Sequence, residues 1–198
     1  MLRKTFVGLT LTLAMFAVQA QAQTFQIDPV HSNVSFKIRH IVSNVTGRFD
    51  DFGGTIEVDR ADLTKSSVNF TIQAKSIDTD NEYRDKDLRS PNFFDVDKYP
   101  TITFKSSKIE KTGDDVYDVT GEFSMHGVTD TITIPVTVLG FAPGMRGATM
   151  GGFETSFTIQ RKDYGIIWNR TLDSGGLLLG DDVHVDVAIE SKYTPDSE

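Results

Sequence analysis

Apolar and polar residues alternate along most of this chain. Val34, Phe36 and Ile38 are spaced by Ser35 and Lys37, and Val68, Phe70, Ile72 and Ala74 by Asn69, Thr71 and Gln73. A period of two gives a strand one buried face and one wet face. The same pattern returns at Ile102 and Phe104, at Val119, Phe123 and Met125, and from Ile132 to Val138. It appears again at Phe153, Phe157 and Ile159, and from Val183 to Ile189. With Ile56 and Val58 added, about eight strands are predicted, at roughly 31–41, 47–59, 66–77, 101–111, 115–125, 128–141, 150–161 and 181–193. Turn-forming residues separate them at Asp59 to Thr64, Gly113-Asp114-Asp115, His126-Gly127 and Pro143-Gly144. Strands so closely spaced are most easily joined antiparallel.

Two stretches interrupt the alternation. From Thr79 to Ser90 the chain reads as a short helix between the third and fourth strands. Thr79-x-x-Glu82 forms a capping box, Asp85 precedes Arg89 by one helical turn, and Pro91 stops the helix at Ser90. The second irregular stretch, Arg161 to Gly180, holds Trp168 and the flexible pair Gly175-Gly176. No linker or repeat divides the domain.

The beginning of the chain has a different character. Arg3 and Lys4 precede an apolar run from Leu9 to Val18, and Ala20-Gln21-Ala22 fits a cleavage site, so residues 1–22 are expected to be a signal peptide for export to the periplasm. Residues 23–198 are then one domain, and no stable membrane anchor is expected. The chain has 20 basic and 28 acidic residues, and without the leader the balance becomes 18 against 28. That charge repels phosphate backbones and argues against nucleic-acid binding. With no cysteine there is no disulfide framework and no cysteine at the cleavage site to carry a lipid anchor.

Clean alternation suits a sandwich or a closed barrel, and the pattern alone does not choose between them. An eight-stranded barrel is either filled by its side chains or open to one small ligand. The apolar faces carry Phe36, Ile38, Phe70, Ile72, Phe104, Phe123 and Phe157. Such a face is either a packed core or the wall of a cavity for a chain-like guest.

Several motifs, in order, resemble the YceI family of lipocalin-like bacterial periplasmic proteins. They run from Ile27-Asp28-Pro29-Val30-His31-Ser32 through Gly47-Arg48-Phe49 and Phe52-Gly53-Gly54-Thr55-Ile56. The most specific block spans Arg84 to Val96 and is closed by Lys98-Tyr99-Pro100. Gly121 to Thr129 and Phe157 to Ile166 follow in the family's order. The resemblance implies an extended eight-stranded antiparallel barrel with an elongated apolar cavity. It implies as ligand a polyisoprenoid, a quinone-like molecule or a fatty amphiphile, and it extends to homodimers and a role in stress or lipid handling. One departure is Asp87, where the family's helix motif has His, which removes any His-dependent head-group contact on this helix.

On this reading Phe94 and Trp168 join the apolar lining, and Phe93 is a further candidate beside them. Arg84, Asp85 and Arg89 on the helix, with Arg161 at a strand end, are candidates for meeting a charged head group, because an Arg fork matches phosphate. The plainer alternative for the helix is a solvated ion pair one turn apart. No metal site or cofactor is expected, since His31, His40, His126 and His184 lack short ligand spacing. No Gly-x-Ser-x-Gly or glycine-rich phosphate loop marks an active site. A binding protein is therefore the leading expectation. The alternatives are an enzyme acting on a lipid in the same cavity and a filled barrel that serves as an interaction protein.

Overall fold

The computed structural model describes residues 22–173 and 176–195. Residues 1–21 of the expected signal peptide, and Gly175 of the glycine pair, lie outside the described residues. No helix among the described residues is long and apolar enough to cross a membrane.

The alternating stretches form eleven segments of one antiparallel sheet. These are β1 (Gln23–Ile27), β2 (Asn33–His40), β3 (Ser43–Phe49), β4 (Phe52–Val58), β5 (Ser67–Gln73) and β6 (Ile77–Asp78). After one helix, α1 (Glu82–Arg89), come β7 (Thr101–Lys111), β8 (Val116–Met125), β9 (Val128–Pro143), β10 (Thr149–Gln160) and β11 (Leu179–Tyr193).

The pairings reduce these eleven segments to eight staves. Both β1 and β2 run against β11, with Ile27 opposite Ser191 and Phe36 opposite Val185, so they are two halves of one stave. In the same way β3 and β4 continue each other along β2 and β1, and β5 and β6 along β4 and β3. Each stave then pairs with its neighbours in sequence, and β11 returns to β1 to close the ring. The result is an up-and-down antiparallel barrel, mainly β, with a short helix between the third and fourth staves.

The first stave begins earlier than its alternation suggests. The sequence reading starts it at residue 31, whereas the sheet starts at Gln23. Phe25 and Ile27 do alternate there, but Asp28-Pro29 interrupts the run before it is long enough to stand out. Similar interruptions fall at Asp50-Asp51 and at Ala74 to Ser76, and the three lie side by side across the wall. A further irregularity between Ser106 and Lys108 shifts the register of β7 against β8. This bulge moves the inward positions from Ile102 and Phe104 to Ile109, so the stave keeps an apolar inner face.

α1 is also capped differently from the expectation. The Asn81 side chain accepts from the Arg84 N–H, making Asn81 the N-cap, an interaction worth about 1 kcal/mol. Thr79 is buried instead, where its backbone N–H and its hydroxyl both donate to Asp85. The Asp85–Arg89 pair does not form, because Arg89 donates to the carbonyls of Lys75 and Ile77. The helix ends at Ser90, ahead of Pro91, as the sequence implies.

With the sheet running up and down, four connections gather at one end: the β2–β3 hairpin, the α1 segment, the β8–β9 turn and residues 161–178. We call this the helix end. The other end holds the β4–β5 link and the β7–β8 and β9–β10 turns. There Phe25 packs edge-on to Phe141 with centroids 5.6 Å apart, Phe141 meets Phe153 at 6.0 Å, and Tyr193 lies 5.7 Å from Phe25. These rings form a floor.

Candidate functional site

The barrel encloses a cavity of about 640 Å³. Its wall is made by the inward residue of every second position, which is why side chains distant in sequence share it. Phe36 and Ile38 come from β2, Phe70 and Ile72 from β5, Phe104 from β7, Phe123 from β8 and Phe157 from β10. Phe94 and Trp168 reach it from the two irregular stretches. All nine apolar candidates from the sequence therefore stand in one wall.

Burial varies around that wall in an informative way. Phe104, Phe123 and Ile72 are buried, whereas Val136, Phe157, Val185 and Val187 on β9, β10 and β11 are only half-buried although they point inward. Their inner surfaces front the void. A native core packs to crystal-like density, so an inner face left this open is a cavity wall and not a finished core. The alternation along β11 was readable, but its valines could not be assigned to lining before the register with Phe36 and Phe157 was known.

Two glycines allow the rings to lie flat in the wall. Gly47 faces Phe36 across the β2–β3 pair, and a Cβ there would come within 2.4 Å of the Phe36 ring. Gly121 leaves room for the tip of Phe104 and for the Lys105 carbonyl in the same way, at 2.8 and 2.4 Å. Any side chain at Gly47 would push its partner ring into the cavity.

Polar lining gathers at the helix end. His40, Thr79, Asn81, Arg84, Asp87 and Arg161 all reach the cavity there, while Ser35, Ser66 and Thr155 are the remaining uncharged polar contributors apart from tyrosines. The cavity thus has an apolar body and one polar mouth. Arg84 is fixed at that mouth by two bonds to Thr79, from Nε to the hydroxyl and from Nη2 to the carbonyl, each 2.7 Å. Asp87 is exposed beside it and accepts from Asn92. His40, Asn81 and Asp87 were not among the sequence candidates, since nothing local marks which end of a barrel is open.

The other head-group candidates are placed differently. Asp85 is buried on Thr79 and does not reach the cavity, nor does Arg89. Arg161 touches the cavity but its donors are directed at the protein: Nε to the Gly180 carbonyl, Nη1 to the carbonyls of Ile166 and Trp168, and Nη2 to Asp181 at 3.0 Å. Burial pulls this guanidinium below its ordinary pKa, and Asp181 opposes the shift. Arg161 therefore ties Ile166 and Trp168 of the long connection to the start of β11, and Trp168 is held against Phe93 with centroids 5.2 Å apart. Tyr164 in the same connection packs edge-on to Phe123, and burial raises its pKa, with Asp130 and Asp163 adding to the shift.

Two further clusters lie outside the cavity. Asp28, His31 and Glu190 converge beside the β1–β2 interruption, with His31 Nδ1 3.0 Å from Asp28 and 3.7 Å from Glu190. Their potential ligand atoms lie within 4.8 Å of one another, a grouping of metal-ligand type that the sequence conceals because Glu190 arrives through the β-register. The hydrogen bond raises the His31 pKa and lowers that of Asp28, as in an ion pair. On the outer face Ser156 approaches His184 Nε2 at 3.1 Å and donates to Asp186. Asp186 also meets His184 at Nε2, on the serine side of the ring, so the three do not form the Ser–His–Asp relay of a hydrolase.

Residues 25–191 match the YceI-like domain family. A UPF0312 protein of Pseudomonas paraeruginosa is 40% identical over 170 residues, covering 84% of this chain and 88% of its own. The crystal structure of BcnA from Burkholderia cenocepacia superposes with a TM-score of 0.74 at 25% identity, over 83% of this chain and 98% of that one. A polyisoprenoid binding domain from Saccharophagus degradans, implicated in plant cell wall breakdown, shares the fold at TM-score 0.65 and 18% identity, over 88% of this chain and 100% of that domain.

Proposed function

The chain belongs to the YceI family, and from that premise we propose that it binds one long-chain amphiphile in the barrel and sequesters or carries it through the periplasm without covalent change. The observation that carries this reading is the half-buried inner wall around a cavity of about 640 Å³. A water molecule occupies about 30 Å³ of liquid, and a methylene takes similar space, so the tube holds roughly 20 such groups. Burying them is worth about 0.8 kcal/mol each, some 16 kcal/mol in all, against association costs of about 4–15 kcal/mol. Binding free energy therefore resides in the tail. The polar mouth then selects the head group, with Arg84 the charged donor best placed to meet it.

The ligand class follows from shape. A narrow apolar tube with a single polar end suits a polyisoprenoid, a quinone-like molecule or a fatty chain, and the polyisoprenoid binding by the similarly folded Saccharophagus domain supports the first. Export to the periplasm is supported by the leader-like pattern of residues 1–22. The test is native mass spectrometry of protein purified from its own host without detergent, followed by organic extraction. A stoichiometric long-chain lipid is the expected result. Protein recovered empty under those conditions would overturn the proposal, and a chemically altered lipid after incubation would replace it with an enzyme.

A further inference from the structure

The mouth carries a second kind of residue outside its polar ring. Eight large hydrophobic side chains are exposed among the described residues, and five of them stand at the helix end: Ile41, Val42, Tyr83, Ile167 and Leu177. They come from three separate segments, which are tied together. The Ile41 N–H donates to the Leu178 carbonyl, joining hairpin to loop, and Trp168 against Phe93 joins that loop to the α1 segment. The exposed side chains are thus held as a collar around the entrance.

The hairpin tip shows that this collar is not a by-product of folding. His40 pairs with Ser43, which leaves Ile41 and Val42 as a two-residue loop. Ile41 has φ of +50°, a conformation for which such loops normally use glycine or asparagine and which a β-branched side chain resists. Val42 beside it is 82% exposed. Local backbone preference and solvation both disfavour Ile-Val here, so the pair fits a setting in which the tip is not in water.

We infer that the collar of Ile41, Val42, Tyr83, Ile167 and Leu177 docks the barrel mouth-first onto the surface of a lipid bilayer. A bilayer is the occupant that matches the cavity, because a guest of about 20 methylene-sized groups, at about 0.8 kcal/mol each, partitions strongly out of water and into an apolar phase, which a membrane provides. The choice of a membrane therefore rests on the carrier reading. Attachment is by shallow insertion of apolar side chains and not by charge, since without the leader acidic residues outnumber basic ones 28 to 18. Contact at the mouth lets the tail pass between bilayer and cavity without crossing water.

The experiment compares the protein from its host with Val42→Asp/Ile167→Asp, neither of which lines the cavity, and with Met145→Asp, an exposed residue at the other end. Each is mixed with phosphatidylcholine vesicles and separated by flotation, and transfer of a fluorescent long-chain lipid between vesicles is timed. Vesicle association of the double variant should fall at least tenfold, because full burial of a side chain of this size is worth roughly that factor. Transfer should slow in parallel, and the milder Val42→Ser/Ile167→Ser pair should be intermediate. Met145→Asp should behave as the parent, and adding phosphatidylglycerol should not strengthen binding. No vesicle association of the parent, or equal losses at both ends, overturns the inference. So does a parent that self-associates or captures a protein through these residues while ignoring vesicles. Failure of the carrier reading is separate: an apolar probe in free solution would then not enter the cavity, whether or not vesicles are bound.

Discussion

Replacing Val187 with Trp separates an open tube from a packed core. Val187 stands on β11 between Thr155 of β10 and Val34 of β2, both small, and its half-buried inner face meets the void. Trp adds about seven non-hydrogen atoms, which project into space that a guest chain would fill. At about 0.8 kcal/mol per methylene-sized group, complete displacement of seven would cost some 5–6 kcal/mol. A chain that bends around the ring loses about half of that, so affinity for an alkyl probe should fall roughly a hundredfold or more. Stability should hardly change. In a packed core the same substitution would cost about 1–3 kcal/mol, and a domain of this size would melt several degrees lower. Probe titration and calorimetry on the same preparation make the comparison. A lowered midpoint with undiminished probe affinity would refute the cavity.

Three further outcomes are expected. Phe104→Arg should reduce lipid occupancy, measured by extraction, more than Arg84→Ala does, because the tail contributes more than one head-group bond; the reverse order contradicts a tail-dominated site. Arg161→Met should destabilise by about 3 kcal/mol, leaving the Gly180, Ile166 and Trp168 carbonyls short of donors, and limited proteolysis should then cut between residues 161 and 178; a loop that stays protected counts against the clamp. The pair of His31 and Asp28 should stabilise most in the window between their two titrations. Since His31 is raised above 6.5, its contribution is complete below that pH and is lost as pH climbs through the raised value. Asp28 is lowered from 3.8, so its contribution is present above that and is lost as pH falls through the lowered value. Thermal melts of His31→Gln across pH should flatten the alkaline side, and an unchanged profile would remove the pair from consideration.

The barrel was legible because each stave keeps one apolar face, and parity alone placed Phe36, Ile38, Phe70, Ile72, Phe104, Phe123 and Phe157 on the same side as one another. What parity does not carry is how far the opposite walls stand apart, so packed core and open tube stayed equivalent until the half-buried valines of β11 were seen. Arg161 illustrates a second limit. Its side chain suggests an anion, yet its partners are mainly backbone carbonyls, which have no signature in the residue types around it. Thr79 illustrates a third: its spacing from Glu82 fits a capping box, but Asn81 is nearer to the helix and Asp85 competes for the threonine. Glu190 beside His31 depends on strand register, which no local pattern encodes.

The three interruptions at residues 28–32, 50–51 and 74–76 run in a line across adjoining staves. Along that line the ladder of hydrogen bonds is broken, and isolated contacts such as Gln73 N–H to the Asp51 carbonyl replace it. Regions with fewer protected amides open at lower free energy than continuous sheet. One panel of the cylinder is therefore jointed, whereas β7 to β11 are continuous strands whose pairing shifts register at Ser106–Lys108 and Gly152–Phe153. Amide exchange should therefore be faster along that crease than in the uninterrupted β8–β9 ladder.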